Sequence, residues 1–373
     1  MSQGDNKKIR VLIVDDSSVI RTLMSRILAS DPGIEVVGTA PDPYVAREKL
    51  AALKPDVMTL DIEMPRMDGV TFLGKVMKHF PTRTVVISSL STQGSAVALR
   101  ALENGAVDVL AKPSVDVGTS LEQMGRQIIE TVKAASRANL SAPRARPVVV
   151  GSAVPGGVAA SAQAAVASAT VKAGNAFSLK TTHQVLAIAS STGGTEALKV
   201  LLPALPADVP GTVIVQHMPP VFTKTYAEHL QRLCPFEVKE AEEGDRVLPG
   251  RVLLAPGNFH MELSRSGAYY QVRLHQEPMI HGVRPAADYL MRSVARHAGA
   301  NAIGVVLTGM GRDGAAGLLA MREAGAFTIA QDERSSVVYG MPRAAVELGA
   351  VSRVLPLEQI ASELAGFWKK NAA

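Results

Sequence analysis

The sequence predicts an α/β protein made of two doubly wound parallel-sheet domains joined by a flexible linker. Three observations predict it. Short apolar runs alternate with helical patterns in both halves, that periodicity lapses over about residues 138–182, and 373 residues exceed what one typical core holds. The expected division is a first domain over residues 7–136, a linker over 137–182 and a second domain over 183–370.

Composition narrows the function classes. A hydrophobic fraction of 47% with only 4% aromatic residues describes an aliphatic interior and leaves few stacking platforms for single-stranded nucleic acid. The net charge of +5 is modest and no basic run reads as a nucleic-acid arm, so nucleic acid is not an expected partner. Cys234 is the single cysteine, which excludes an internal disulfide and reads as a small buried apolar residue. The polar start MSQGDNKKIR has no signal-peptide core, and no apolar run reaches the roughly 18 residues of a membrane span. A cytoplasmic chain that is not membrane-inserted is expected.

In the first half the strands are Ile9–Val14, Ile34–Val37, Val57–Leu60, Val85–Ile87 and Val107–Leu110. A helical pattern runs from Val19 through Leu28, others lie between the later strands, and a last helix falls near Leu121–Ala135. In such sheets functional groups gather at the carboxyl ends of the strands. There stand Asp15 and Asp16, then Asp61, Ser88, and Lys112-Pro113. Converging carboxylates repel one another unless a cation sits among them, and hard oxygen ligands with room for water suit Mg²⁺. A carboxylate beside Mg²⁺ can attack phosphorus and carry an aspartyl phosphate, with Ser88 and Lys112 contacting the phosphoryl oxygens. Any one Asp alone reads equally well as a helix N-cap; all five positions in register favour the site.

Residues 9–135 resemble a response-regulator receiver domain. The resemblance rests on Asp15-Asp16, Leu60-Asp61-Ile62-Glu63-Met64-Pro65, Met67-Asp68-Gly69, Ser88 and Lys112-Pro113. It implies a flavodoxin-like fold, phosphorylation of Asp61 by a sensor histidine kinase, and Mg²⁺ held by Asp15, Asp16, Asp61 and the backbone carbonyl of Glu63. Val109 stands where many receivers carry an aromatic switch residue.

From about Ala138 to Thr182 the chain is Ala, Ser, Val, Gly and Pro, with Arg144 and Arg146 near its start. Small residues bury too little area to offset the entropy of ordering, so a flexible tether is expected, with Val148–Val150 as its one packable stretch.

The pattern returns at Val185–Ala189, Thr212–Val215, Val252–Leu254, Ile303–Leu307 and Phe327–Ala330. A β-hairpin, His260–Leu263 and Tyr269–Leu274 joined by Ser264-Arg265-Ser266-Gly267, is inserted among them. The stretch Ala189-Ser190-Ser191-Thr192-Gly193-Gly194 places a hydroxyl and two glycines where a strand turns into a helix, a geometry that serves acyl chemistry or a phosphate. A dinucleotide fingerprint needs G-x-G-x-x-G and an acidic end to the next strand; that strand ends in Gln216-His217, and no Walker-type loop occurs.

Ser191, His217 and Asp313 supply nucleophile, base and orienting carboxylate from three strand ends. Their chain order and Ala189 at position −2 to the serine exclude the α/β-hydrolase elbow. Singly, Ser191 and Asp313 read also as helix N-caps and His217 as a polar strand end, and Ser190 competes with Ser191 as nucleophile. His183, His229, His260, His275, His281 and His297 show no metal-ligand spacing, so no zinc site and no cofactor are expected in this half.

Residues 184–355 resemble the catalytic domain of the chemotaxis protein-glutamate methylesterases. The matching stretches are Ser191-Thr192-Gly193-Gly194-Thr195-Glu196, Gln216-His217-Met218-Pro219-Pro220, Ala255-Pro256-Gly257, Leu307-Thr308-Gly309-Met310-Gly311 with Asp313-Gly314, and Tyr339-Gly340-Met341-Pro342. The resemblance implies a Rossmann-like domain with Ser191 as nucleophile, His217 as general base, Asp313 as its carboxylate and the backbone N–H of Met310 as an oxyanion donor. Ala189-Ser190 replaces the family's usual Gly-Ala, and Val283 stands where a histidine is common, with His281 nearby. Together the two resemblances imply a phosphorylation-activated hydrolase of glutamate γ-methyl esters, and a glutamine deamidase, acting on methyl-accepting chemotaxis receptors. The alternative is a response regulator whose output domain only binds protein. The unphosphorylated receiver is expected to rest across the Ser191 cleft.

Overall fold

The computed structural model describes residues 7–89, 91–113, 121–140 and 184–371. The expected tether over 141–182, with Arg144, Arg146 and Val148–Val150, lies outside the described residues, as does His183.

The N-terminal sheet is formed by β1 (Ile9–Val14), β2 (Ile34–Ala40), β3 (Val57–Asp61), β4 (Arg83–Ser88) and β5 (Asp108–Ala111). Five strands pair in parallel in the order β2-β1-β3-β4-β5, flanked by α1 (Ser18–Ala29), α2 (Pro43–Leu53), α3 (Gly69–His79), α4 (Thr92–Glu103) and α5 (Leu121–Ser136). Each of the first four helices starts at a side-chain cap: Ser17, Asp42 ahead of Pro43, Asp68 and Ser91 accept from amides of the first turn. The inner strands β3 and β4 are buried on both faces, whereas the edge strand β2 is largely part-buried and exposes Glu35.

The C-terminal sheet holds β6 (Val185–Ser190), β7 (Gly211–Gln216), β8 (Glu237–Glu240), β10 (Arg251–Leu254), β13 (Ala302–Val306), β14 (Phe327–Gln331) and β15 (Arg353–Leu355). These seven strands are parallel in the order β15-β14-β13-β6-β7-β10-β8. Chain order reverses between β6 and β13, which is where a crevice opens at the carboxyl edge. The helices are α6 (Gly194–Leu201), α7 (Phe222–Gln231), α8 (Ala287–Ala298), α9 (Ala315–Glu323), α10 (Met341–Glu347) and α11 (Leu357–Asn371). The hairpin strands β11 (His260–Ser266) and β12 (Tyr269–His275) are joined by β9 (Arg246–Val247) into a separate antiparallel sheet of three strands.

Several expectations shift in detail. β8, β9 and β15 have no counterpart in the sequence reading, because they span only four, two and three residues and carry Glu237, Arg246 and Arg353. The hairpin turn is tighter than expected: β11 runs through Ser266, and Gly267 turns the chain with φ 59°. Residues 137–140, placed in the tether, are packed: Ala138 is buried, its carbonyl accepts from Arg83 Nε at 3.0 Å, and the Asn139 amide donates to Val337 O at 2.9 Å.

Through that bond and through α4, the two sheets' domains touch. Leu99 and Leu102 of α4 belong to the same apolar cluster as Phe222 and Tyr226 of α7. Lys199 of α6 pairs with Glu103 at the end of α4 at 3.0 Å.

Candidate functional site

The strand β6 turns into α6 through two glycines that nothing larger replaces. Gly193 has φ 79°, and a Cβ there would stand 2.5 Å from Val337 Cβ; a Cβ on Gly194 would stand 2.2 Å from Gln216 Oε1. The turn leaves Ser191 partly exposed. Its backbone is fixed from both sides, the amide donating to Thr308 O at 3.0 Å and the carbonyl accepting from Gln216 Nε2 at 3.0 Å. Its hydroxyl has no hydrogen-bond partner among the described residues. Ser190 is different: it is fully buried and its hydroxyl donates to Gln216 Oε1 at 2.7 Å.

His217 follows β7, and its amide bonds to Ser190 O at 3.1 Å, which sets it beside the turn. Its Nε2 lies 2.8 Å from Asp313 Oδ2. Asp313 is 2% exposed and also accepts from the amides of Ala287 at 2.6 Å and Asp288 at 3.1 Å. Burial pushes its carboxyl up, but the His217 hydrogen bond and charge and the two amides outweigh it and hold the pKa below the ordinary carboxylate value. The N-cap alternatives fall away, because α6 and α9 are capped by Gly193 and Gly314 without side-chain bonds. The structure thus places Ser191 and His217 on one crevice, with Asp313 behind the imidazole.

Gly309 lies against the turn after β6; a Cβ on it would come 2.8 Å from Ser191 Cβ. Met310 follows, and its side chain packs with Val337 and Val338 into the apolar cluster of β1, β3 and α5. His281 stands 3.3 Å from Asp288 Oδ2, and those two residues with Asp313 can bring one ligand atom each within 4.8 Å, a grouping that sequence spacing did not show. All three residues already have protein partners: His281 and Asp288 face each other, and Asp313 accepts from His217 and the Ala287 amide.

The receiver lies over the crevice, as expected from the sequence, but which of its residues stand there was not legible. Besides Ser191, Gln216 and His217 the crevice is lined by Leu102, Val107, Asp108 and Val109 of the N-terminal domain, and it holds about 10 Å³, the room of about one water. Thr192 Oγ1 donates to Asp108 Oδ2 at 2.5 Å across the boundary.

A second cluster forms at the edge of the N-terminal sheet. Asp15, Asp16 and Asp61 each offer a carboxylate oxygen within 4.8 Å of the others. Asp61 is fully buried; it accepts from Lys112 Nζ at 2.7 Å and from the Glu63 amide at 3.0 Å. Burial, reinforced by Asp15, pushes its pKa up to about 6 against the pull of Lys112 and that amide. Three acidic groups with one ammonium leave negative charge that a hard divalent cation suits, so the residues fit Mg²⁺. Ser88 is buried beside Asp61, its hydroxyl turned to Gly94 O at 3.3 Å and Ser89 O at 3.4 Å. Gly69 is forced by space: a Cβ would lie 2.3 Å from Asp61 O.

The raised Asp61 pKa carries a stability prediction. With a folded value of about 6 above the unfolded 3.8, the ionised group costs stability that is fully present below pH 4, is lost as pH rises to 6 and stays lost above it. The loss is about 3 kcal/mol. In metal-free buffer at pH 7, Asp61→Asn is expected to raise the unfolding midpoint of this domain by several degrees. Differential scanning calorimetry should show that gain shrinking toward pH 4; a lower midpoint at pH 7 would contradict the charge assignment.

Comparison with known proteins decides the family. Residues 186–364 match the family model described as CheB methylesterase, and residues 11–119 match that of the response regulator receiver domain. A protein-glutamate methylesterase/protein-glutamine glutaminase of Bdellovibrio bacteriovorus is 61% identical over 358 residues, covering 96% of this chain and 97% of that protein. The chain belongs to this methylesterase family. A relative of the same name from Salmonella choleraesuis is 49% identical over 359 residues, covering 96% of both. The solved Thermotoga maritima CheB methylesterase catalytic domain is 39% identical, with a TM-score of 0.49, and covers 50% of this methylesterase and 98% of that chain. In this methylesterase no helix among the described residues is long and apolar enough to cross a membrane.

Proposed function

We propose that the chain is a cytoplasmic, phosphorylation-activated serine hydrolase that removes methyl groups from glutamate γ-esters, and ammonia from glutamines, on methyl-accepting chemotaxis receptors. The observation that carries this reading is the Asp313-held His217 beside the unengaged hydroxyl of Ser191. Ser191 Oγ attacks the γ-carbonyl while His217 takes its proton, and the oxyanion rests on backbone N–H groups, that of Met310 among them. His217 then gives the proton to the leaving oxygen, releasing methanol. Water attacks the acyl-enzyme, again losing a proton to His217, and the glutamate acid departs as Ser191 regains its proton. Asp313 keeps the proton on the far nitrogen of His217 and steadies the imidazolium.

Control belongs to the receiver. Asp61 accepts phosphate from a sensor histidine kinase; Asp15, Asp16, Asp61 and the Glu63 carbonyl would hold Mg²⁺, and Ser88 and Lys112 would contact the phosphoryl oxygens. When bound, Mg²⁺ supplies the positive charge that a transferring phosphoryl group needs. In the resting chain Leu102, Val107, Asp108 and Val109 leave too little space for a glutamate side chain, so the receiver blocks the crevice. Residues 7–136 are the receiver and 183–370 the catalytic domain, with the linker between them beginning after the packed residues 137–140. Deleting residues 1–180 is expected to raise basal methanol release, and an unchanged rate would contradict the blocking role.

A further inference from the structure

The hydroxyl of Thr192 is not used by its own domain. α6 begins at Gly194 with Gly193 as N-cap and takes no side-chain cap bond, so Thr192 does not serve the helix. Its carbonyl is held by Thr308 Oγ1 at 2.9 Å, which fixes the residue's backbone next to the nucleophile. Among the described residues, the one partner of its hydroxyl is Asp108 Oδ2, 2.5 Å away at the start of β5. Asp108 lines the crevice with Ser191, Gln216 and His217, and its other oxygen accepts from the Val109 amide at 2.8 Å. The receiver therefore presents a carboxylate that lines the crevice to a hydroxyl one residue from the serine.

We propose that the Thr192 hydroxyl is a substrate-positioning donor to the γ-carboxyl oxygens of glutamate, and that Asp108 occupies its place in the resting chain as a tethered stand-in for the product acid. This rests on the hydrolase reading above. Chemically, the side chain of Asp108 is the product carboxylate shortened by one methylene; burial pushes its pKa up, against the pull of the Thr192 hydroxyl, the Val109 amide and His217. When the receiver moves away, the Thr192 hydroxyl loses its partner, and an ester, amide or acid oxygen replaces it. The resting state is thus a competition for one donor as well as a steric block.

The test uses the full chain with a phosphodonor, methylated receptor membranes as substrate and N-acetylglutamate as a product-acid probe. Thr192→Val is expected to raise KM about tenfold with kcat largely kept, and to weaken inhibition by N-acetylglutamate in parallel. Thr192→Ser restores both, which a merely structural loss of the methyl-bearing side chain would not allow. Without phosphodonor, Asp108→Ala raises methanol release toward the phosphorylated rate and leaves the phosphorylated KM unchanged. Unchanged KM and inhibition in Thr192→Val, or a defect confined to kcat, would overturn the proposal. Absence of methanol release by the wild-type chain would instead overturn the hydrolase reading, and the proposal with it.

Discussion

Replacing Ser191 with alanine is expected to lower methanol release by about 10⁴-fold or more, because the remaining crevice retains binding and oxyanion donors but has no nucleophile. Ser190→Ala makes the sharper control. Ser190 is fully buried and its hydroxyl donates to Gln216 Oε1 at 2.7 Å, so the alanine leaves that buried acceptor unpaired. The cost is about 1–3 kcal/mol of stability, with activity kept within about tenfold. The two neighbours separate because strand β6 sends alternate side chains to opposite faces and ends between them. A pure protein-binding output would survive Ser191→Ala unaltered, and equal losses in the two variants would contradict the assignment of the nucleophile.

Asp313→Asn is expected to cost about 10⁴-fold in kcat while the fold persists, the size of effect a wrong imidazole tautomer produces. The amides of Ala287 and Asp288 donate to the two oxygens of Asp313. An asparagine with its N–H₂ toward His217 Nε2 keeps an acceptor for the Asp288 amide and leaves that of Ala287 without one, since Ala287 and His217 share Oδ2. His217 Nε2 then accepts instead of donating, and the proton moves to the ring nitrogen that has to receive the serine's. The loss should fall on kcat more than on KM, since Asp313 lies behind His217 and away from the substrate. A loss below about tenfold would remove Asp313 from the mechanism.

Much of this was legible in the sequence because strand-end chemistry follows from periodicity. Once Val185–Ala189, Thr212–Val215 and Ile303–Leu307 are read as parallel strands, Ser191, His217 and Asp313 fall at one edge whatever the strand order. Its place beside Thr192-Gly193 already favours Ser191 over Ser190 in the sequence; the structure adds the physical reason, that Gln216 takes up the Ser190 hydroxyl. Short charged edge strands such as β8 and β15 leave no periodic trace. Least legible was the Thr192–Asp108 contact, which spans 84 positions and joins two domains; neither residue's local pattern distinguishes it from an ordinary turn threonine or a strand-start aspartate. Ala138 and Asn139 likewise read as tether, because what orders them is distant in sequence: Arg83 and its domain's apolar cluster for Ala138, and Val337 of the other domain for Asn139.

The most direct measurement is methanol release from methylated receptor membranes by the full chain, with and without a phosphodonor. The account predicts slow release from the resting chain, in which Asp108 and its neighbours fill the crevice, and a marked rise once Asp61 is phosphorylated. Release under neither condition would contradict the central claim that Ser191, His217 and Asp313 form an esterase under receiver control.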